Sequence, residues 1–201
     1  MENKPQTYIF IGQSGCGKGT QAKLLEEWIK QNDVEKREVF HLETGAKFRE
    51  FFTTDSFTSK RATALGATGA RQPDFLAIHI WSHVLIESYN GNQHLLIDGT
   101  PRSLAETTAF DSAMKFYDRE KPTVIFINVS KQWSIDRLTA RGRGDDKSQE
   151  EIEKRLAWFT KDVMPAVEWY RGHPEYHFVE LNGEQSIEAV HAELISKIEM
   201  K

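Results

Sequence analysis

Between a short apolar run over residues 8–11 and a helix-like stretch over residues 18–31, the chain reads Gly12-Gln13-Ser14-Gly15-Cys16-Gly17-Lys18-Gly19-Thr20. Glycines at 12, 15 and 17 permit backbone torsions that turn successive N–H groups inward around one anion. The helix that begins at the end of the loop adds the positive end of its dipole. Lys18 brings a flexible point charge of the kind that reaches the β- and γ-phosphates of a nucleotide. A glycine-rich turn without chemical meaning needs neither the strand before it nor the helix after it. The loop therefore predicts a strand–loop–helix unit built to hold a polyphosphate.

The same β/α alternation continues along the chain. Apolar runs rich in β-branched and aromatic residues recur at 39–42, 95–97, 124–127 and 177–179, without clean alternation, as suits strands covered on both faces. Residues 102–117 read as helix, as do the stripes Ile78/Trp81/Leu85, Ile152/Leu156/Phe159/Val163 and Ile187/Val190/Leu194/Ile198. The pattern predicts one α/β domain over 1–201, a three-layer sandwich with a five-stranded parallel sheet and its ligand crevice beyond the carboxyl ends of the strands. Residues 44–72 interrupt the alternation with polar, helical sequence, as an insert over the strand ends would, and 142–147 read as a glycine-rich, charged loop. The core is then 1–43, 73–141 and 148–201.

Composition narrows the partners. With 26 Lys+Arg against 30 Asp+Glu the net charge is −4, which offers no general attraction to nucleic acid or an anionic membrane. The longest apolar runs are four residues, where a spanning helix needs about 20. No apolar signal region precedes the first strand, and the single cysteine, Cys16, has no partner in the chain, so a reducing, cytoplasmic setting is expected. His79 and His83 lie four apart on a helix, but without a third ligand of suitable spacing a metal there is not expected.

Gly17-Lys18-Gly19-Thr20-Gln21 places the hydroxyl one position later than the general phosphate-loop pattern, and in this it resembles adenylate kinases and the related nucleoside monophosphate kinases. The resemblance runs nearly the whole length. It implies that Gly15, Cys16, Gly17, Lys18, Gly19 and Thr20 hold ATP, with Cys16 a space-filling thiol. Leu42-Glu43-Thr44-Gly45-Ala46-Lys47-Phe48-Arg49 is similar to the family's Leu-Ser-Thr-Gly-Asp-Leu-Leu-Arg, which makes Arg49 a ligand of the acceptor phosphate, sets Thr44 and Gly45 beside its base, and replaces with Ala46 an aspartate that orders water around magnesium. Gly69-Ala70-Arg71-Gln72-Pro73 keeps the Gly and Pro of the family's Gly-x-Leu-Val-Pro with two polar residues between, Gln72 among the acceptor contacts. Asp98-Gly99-Thr100-Pro101-Arg102 resembles Asp-Gly-Phe-Pro-Arg. Asp98 then holds the hydration shell of Mg²⁺, with Thr20, mainly through water, while Gly99 and Arg102 face the acceptor.

Glu106 stands where adenylate kinases usually carry a glutamine that donates to adenine N1 and accepts from the amine. An ionised carboxylate only accepts, which suits guanine's N1–H and N2–H₂, whereas Thr44 resembles the adenylate-specific members. AMP is the favoured acceptor. The competing expectation is that Glu106 is an exposed helix residue touching no base.

Leu138-Thr139-Ala140-Arg141-Gly142-Arg143-Gly144-Asp145-Asp146 resembles the family's lid in its shortest form, 142–147, with no Cys or His cluster for zinc. Arg141 and Arg143 would reach the donor phosphates, Asp145 and Asp146 latch the lid, and Arg155 approach from the next helix; Gly183 would lie in a loop against the donor adenine. Together with Lys18 and Arg102, these arginines would stabilise a transferring phosphoryl group. The resemblance implies transfer from MgATP to a nucleoside monophosphate by a monomer. The alternatives are a kinase for GMP, UMP or CMP, and a non-catalytic nucleotide-binding protein.

Overall fold

A computed structural model of the chain describes residues 4–142 and 148–199. All the apolar runs named above become strands, one to three residues longer than the runs themselves: β1 Thr7–Ile11, β2 Val39–Glu43, β3 His94–Asp98, β4 Thr123–Asn128 and β5 His177–Asn182. Every pairing is parallel, in the order β2-β3-β1-β4-β5.

Successive side chains of each strand enter opposite layers, which is why the runs are apolar throughout rather than alternating. Ile9, Ile11, Leu95, Ile97, Val124 and Phe126 pack on one side, under α4 (Asp74–Ser88), α5 (Leu104–Phe116) and α8 (Met164–Gly172). Tyr8, Phe10, Leu96, Ile125, Ile127 and Leu181 pack on the other, under α1 (Lys18–Asn32) and α9 (Ile187–Glu199). Trp81 and Phe110, edge to face at 5.4 Å, anchor the first layer.

Between β2 and α4 lie α2 (Thr44–Phe52) and α3 (Phe57–Gly66), and Phe48, Ala62, Leu76 and Ala77 give this region a small apolar cluster of its own. After β4 come α6 (Lys131–Arg141) and α7 (Gln149–Trp158), and α7 runs through a π-helical turn, Phe159–Val163, into α8. Among the described residues no helix is long and apolar enough to cross a membrane.

Three expectations are corrected at element ends. The helix placed at 102–117 begins at Leu104, because the Ser103 hydroxyl accepts from the Glu106 N–H and caps it there. Ile187, first of the α9 stripe, is 42% exposed, while Val190, Leu194 and Ile198 are buried. The stripe Ile152/Leu156/Phe159/Val163 is fully buried but crosses from α7 into the wider π turn.

A buried polar tie closes the sheet's amino-terminal end. Asp33, at the end of α1, accepts from the Arg37 N–H (2.8 Å) and Nη1 (3.0 Å) and lies 3.2 Å from His94 Nε2, while His94 Nδ1 accepts from the Gln6 N–H. Burial works to raise the Asp33 carboxyl pKa, but these donors outweigh it and hold it below its ordinary value; burial pulls His94 down. Both folded-state values are depressed, so both groups stabilise the fold above their unfolded pKa and lose that contribution as pH falls. On acidification His94 is the first of the two to do so, below about pH 6.5. Asp33→Ala, which removes the buried carboxylate that Arg37 and His94 share, should lower the unfolding free energy by about 3 kcal/mol in urea titrations at pH 7.

Candidate active site

The carboxyl ends of β1, β2 and β3 set the site. Parallel register puts Glu43 and Phe10 on either side of Asp98, so the loops after these strands open into one crevice. The first of them is the glycine-rich loop. Gly15 has φ +86°, and a Cβ there would lie 3.0 Å from Ser134 O, so the tight approach of the loop to α6 requires glycine. Lys18 Nζ donates to Gly12 O (2.5 Å) and Gln13 O (3.0 Å) and sits 3.5 Å from Cys16 Sγ, which keeps the ammonium folded back over its own loop. Cys16 is buried and fills the space beneath. Gln13 Nε2 donates to Val129 O and Ser130 O, tying the loop to the end of β4.

Asp98 is only 9% exposed, and burial pushes its carboxyl pKa up against the pull of Lys18 and Arg102. Arg102 Nε donates to Gly99 O (2.5 Å), and its guanidinium carbon lies 5.9 Å from the centre of the Trp158 ring. Burial lowers the Arg102 pKa. Glu106 and Asp98 oppose that, while Arg155 and Arg71 crowd the guanidinium with like charge. Lys18 and Arg102 thus face Asp98, Arg71 and Arg102 face Glu106, and Arg155 stands beside Arg102. Ser14, Lys18, Gly99, Arg102 and Trp158 help to line a cleft of about 320 Å³. A magnesium ion bound largely through water and phosphate oxygens needs one such carboxylate. Asp98 fits that need, since no hydrogen bond within the described residues occupies its oxygens and Oδ2 lies 3.4 Å from where a Cβ on Gly19 would be. Among the described residues no group of three or more His, Cys, Asp or Glu is placed to hold a metal, and His79 and His83 stack on each other at 5.7 Å.

On the β2 side, Thr44 begins α2 and is buried with Oγ1 lacking a hydrogen-bond partner. Gly45 packs beside Arg49, whose Nη2 pairs with Glu43 (2.7 Å), and Glu43 is itself the neighbour of Asp98 in the sheet. Gln72 Nε2 donates to Ala62 O, leaving Oε1 buried and unpartnered. Glu106 is 1% exposed, so the competing expectation of an exposed helix residue fails on its exposure. Burial raises its carboxyl pKa, while the Thr100 hydroxyl, Arg102 and Arg71 pull it down. Sequence reading missed Arg71 as a member of this group; its only signal was a charge where the resemblance implies leucine.

A second cavity, of about 330 Å³, lies across the loop and is lined by Cys16, Gly17, Thr20, Arg137 and Gly183. Thr20 is exposed on the first turn of α1, and Gly183 lies close against Val129 and Ile127, where a Cβ would overlap both. Arg137 also escaped sequence reading, although its place one helical turn before Arg141 puts it on the same face of α6. Arg141 is the exposed last residue of α6, and Arg155 is half-buried on α7. Arg143, Asp145 and Asp146 lie outside the described residues.

Comparison with known proteins agrees with this arrangement. The family described as adenylate kinase matches residues 10–174. The chain is 30% identical over 189 residues to an adenylate kinase of Flavobacterium psychrophilum, covering 90% of this chain and 92% of that one. It is 31% identical to an adenylate kinase of Synechococcus sp. (strain CC9311), covering 92% and 94%, and 27% identical to adenylate kinase isoenzyme 1 of Caenorhabditis elegans, covering 96% and 87%.

The position of Arg102 depends on Gly99, which has φ +86° and leaves no room for a Cβ, which would come 2.9 Å from Arg102 Nη2. Gly99→Ala should therefore cost about 1–2 kcal/mol in urea unfolding from backbone strain. It should also displace the Arg102 guanidinium from the cleft in a structure of the variant.

Proposed function

This chain belongs to the adenylate kinase family, and we propose that it transfers the γ-phosphoryl group of MgATP to a nucleoside monophosphate, with AMP the favoured acceptor. The observation that carries this reading is the gathering of Lys18 and Arg102 around Asp98 at the strand ends, with Arg155 beside Arg102. An α-phosphate oxygen of the acceptor attacks the γ-phosphorus in line, and the bond from that phosphorus to the β-bridging oxygen breaks. The acceptor oxygen is already ionised at neutral pH, so no general base is needed. What the chain supplies is position and positive charge.

In this reading the N–H groups of residues 15–20 and the Lys18 ammonium hold the donor's β- and γ-phosphates. Arg102 and Arg155 neutralise the charge that spreads over the equatorial oxygens, and Arg141 and Arg143 close over the donor side. Arg49 binds the acceptor phosphate once it exchanges Glu43 for it. Thr44, Gly45, Gln72 and Gly99 line the acceptor, while Thr20 and Gly183 face the donor. Asp98, with Thr20, would hold the water shell of the Mg²⁺ that accompanies ATP, and the ion would supply further neutralisation of phosphate charge. Closure of the 44–72 insert over the core would exclude water, so ATP hydrolysis without acceptor is expected to be slow. Donor and acceptor sides both come from one chain, which supports a monomeric enzyme, and the reading places it in the cytoplasm.

Lys18→Met removes the charge nearest the transferring group while leaving the apolar packing of α1 intact. In a coupled assay with ATP and AMP, its kcat should fall about 10³-fold with an unchanged circular dichroism spectrum. A rate near that of the parent chain would overturn the phosphate assignment.

A further inference from the structure

Arg71, Thr100 and Glu106, three positions at which this chain parts from the motifs it otherwise resembles, meet in one network. The Thr100 hydroxyl donates to Glu106 Oε2 (2.5 Å), which fixes the carboxylate and sets Oε1 3.6 Å from Arg71 Nη1. Oε1 is buried without a hydrogen-bond partner, on a side chain 2% exposed. A carboxylate oxygen is costly to leave in such a place, so the site calls for a donor from a ligand. Arg71 is held from its other sides. Its Nη1 donates to Asp74 Oδ1 (2.6 Å), its Nε to Asp162 Oδ2 (3.3 Å), and Asp74 is fixed in turn by the Ser103 hydroxyl (2.6 Å). A guanidinium carries five N–H bonds, and these contacts leave donors on Nη1 and Nη2 uncommitted among the described residues.

An anchored donor and an orphaned acceptor side by side match a ring edge that presents one acceptor and one donor. Adenine has that edge, with N1 accepting and the 6-amino group donating. Ionised Glu106 can take the amino hydrogen but can give nothing to N1. We propose that Arg71 and Glu106 divide the reading of the acceptor base, with Arg71 donating to N1 of adenine and Glu106 Oε1 accepting from the 6-amino group. Thr100, Asp74 and Asp162 are positioning residues for the pair. The proposal rests on the phosphotransfer reading above. A 6-oxopurine reverses both groups, and in the same seat sets its O6 against the Glu106 oxygen and its N1–H against the guanidinium.

The test is steady-state phosphoryl transfer by the full chain and by Arg71→Leu and Arg71→Leu/Glu106→Gln, with AMP, 1-deaza-AMP, which lacks the N1 acceptor, and IMP. The parent chain should lose about 10- to 100-fold in kcat/KM, mostly through KM, on going from AMP to 1-deaza-AMP or IMP. Arg71→Leu should lose a similar factor with AMP and nothing further with 1-deaza-AMP, because both changes remove one contact. The double variant, which restores a neutral side chain with both donor and acceptor, should recover most of the AMP activity. The parent-chain comparison stands even if a variant fails to fold. Equal use of AMP and 1-deaza-AMP by the parent chain, or a preference for IMP, would overturn the assignment while leaving the kinase reading in place. No transfer to any mononucleotide would overturn that reading and this assignment with it.

Discussion

Like charge is hard to concentrate, and this fold concentrates it. Lys18 and Arg102 act on Asp98, Arg71 and Arg102 on Glu106, Arg155 stands beside Arg102, and burial alone already disfavours the charged form of Arg102. The cluster persists because Lys18, Arg102 and Arg71 each have fixed counterparts. Lys18 rests on loop carbonyls, Arg102 on Gly99 O with Asp98 and Glu106 nearby, and Arg71 between Asp74 and Asp162. Such pairing contributes little net stability once desolvation is counted. Its effect is to hold positive charge where a polyanion would exchange these partners for its own oxygens at little reorganisation cost.

The two apolar layers make that arrangement rigid. Five parallel strands buried on both faces leave only their ends for chemistry, and register fixes which ends are neighbours. The glycine-rich loop is bound to β4 through Gln13, and α1 to the start of β3 through Asp33 and His94. The region of α2 and α3 instead packs through a small cluster, Phe48 and Ala62 against Leu76 and Ala77 of α4, apart from the two main layers.

The parts that were legible in the sequence are those written locally. Strand runs, the loop with its lysine, and Asp98-Gly99-Thr100-Pro101-Arg102 each announce themselves within a few residues. The Arg71–Glu106–Thr100 network does not, because its members sit on separate segments and each alone reads as a solvated polar residue. Glu106 carried a signal only as a carboxylate in a place that asks for an amide, and its burial shows in the tertiary contact with Thr100. His94 likewise reads as an ordinary strand residue until Asp33 is brought beside it. Ile187 misled in the opposite sense, since periodicity assigns a face but cannot say where a helix end leaves the core.

The π turn at Phe159–Val163 carries one residue more than a regular helical turn of the same rise. Upstream of it, Trp158 Nε1 donates to Gly69 O and the indole faces Arg102; within it, Asp162 reaches Arg71; downstream, Val167 and Tyr170 fill the main core. A wide turn of this kind absorbs one extra residue and leaves the helix on either side of it in phase. Crevice and interior thus both keep their proper side chains on a rod one residue longer than a regular helix would be. The turn thus takes up the extra residue between two functions of one continuous rod, and losing one residue should be tolerated better here than within α7 or α8, where it would turn one half against the other by about 100°.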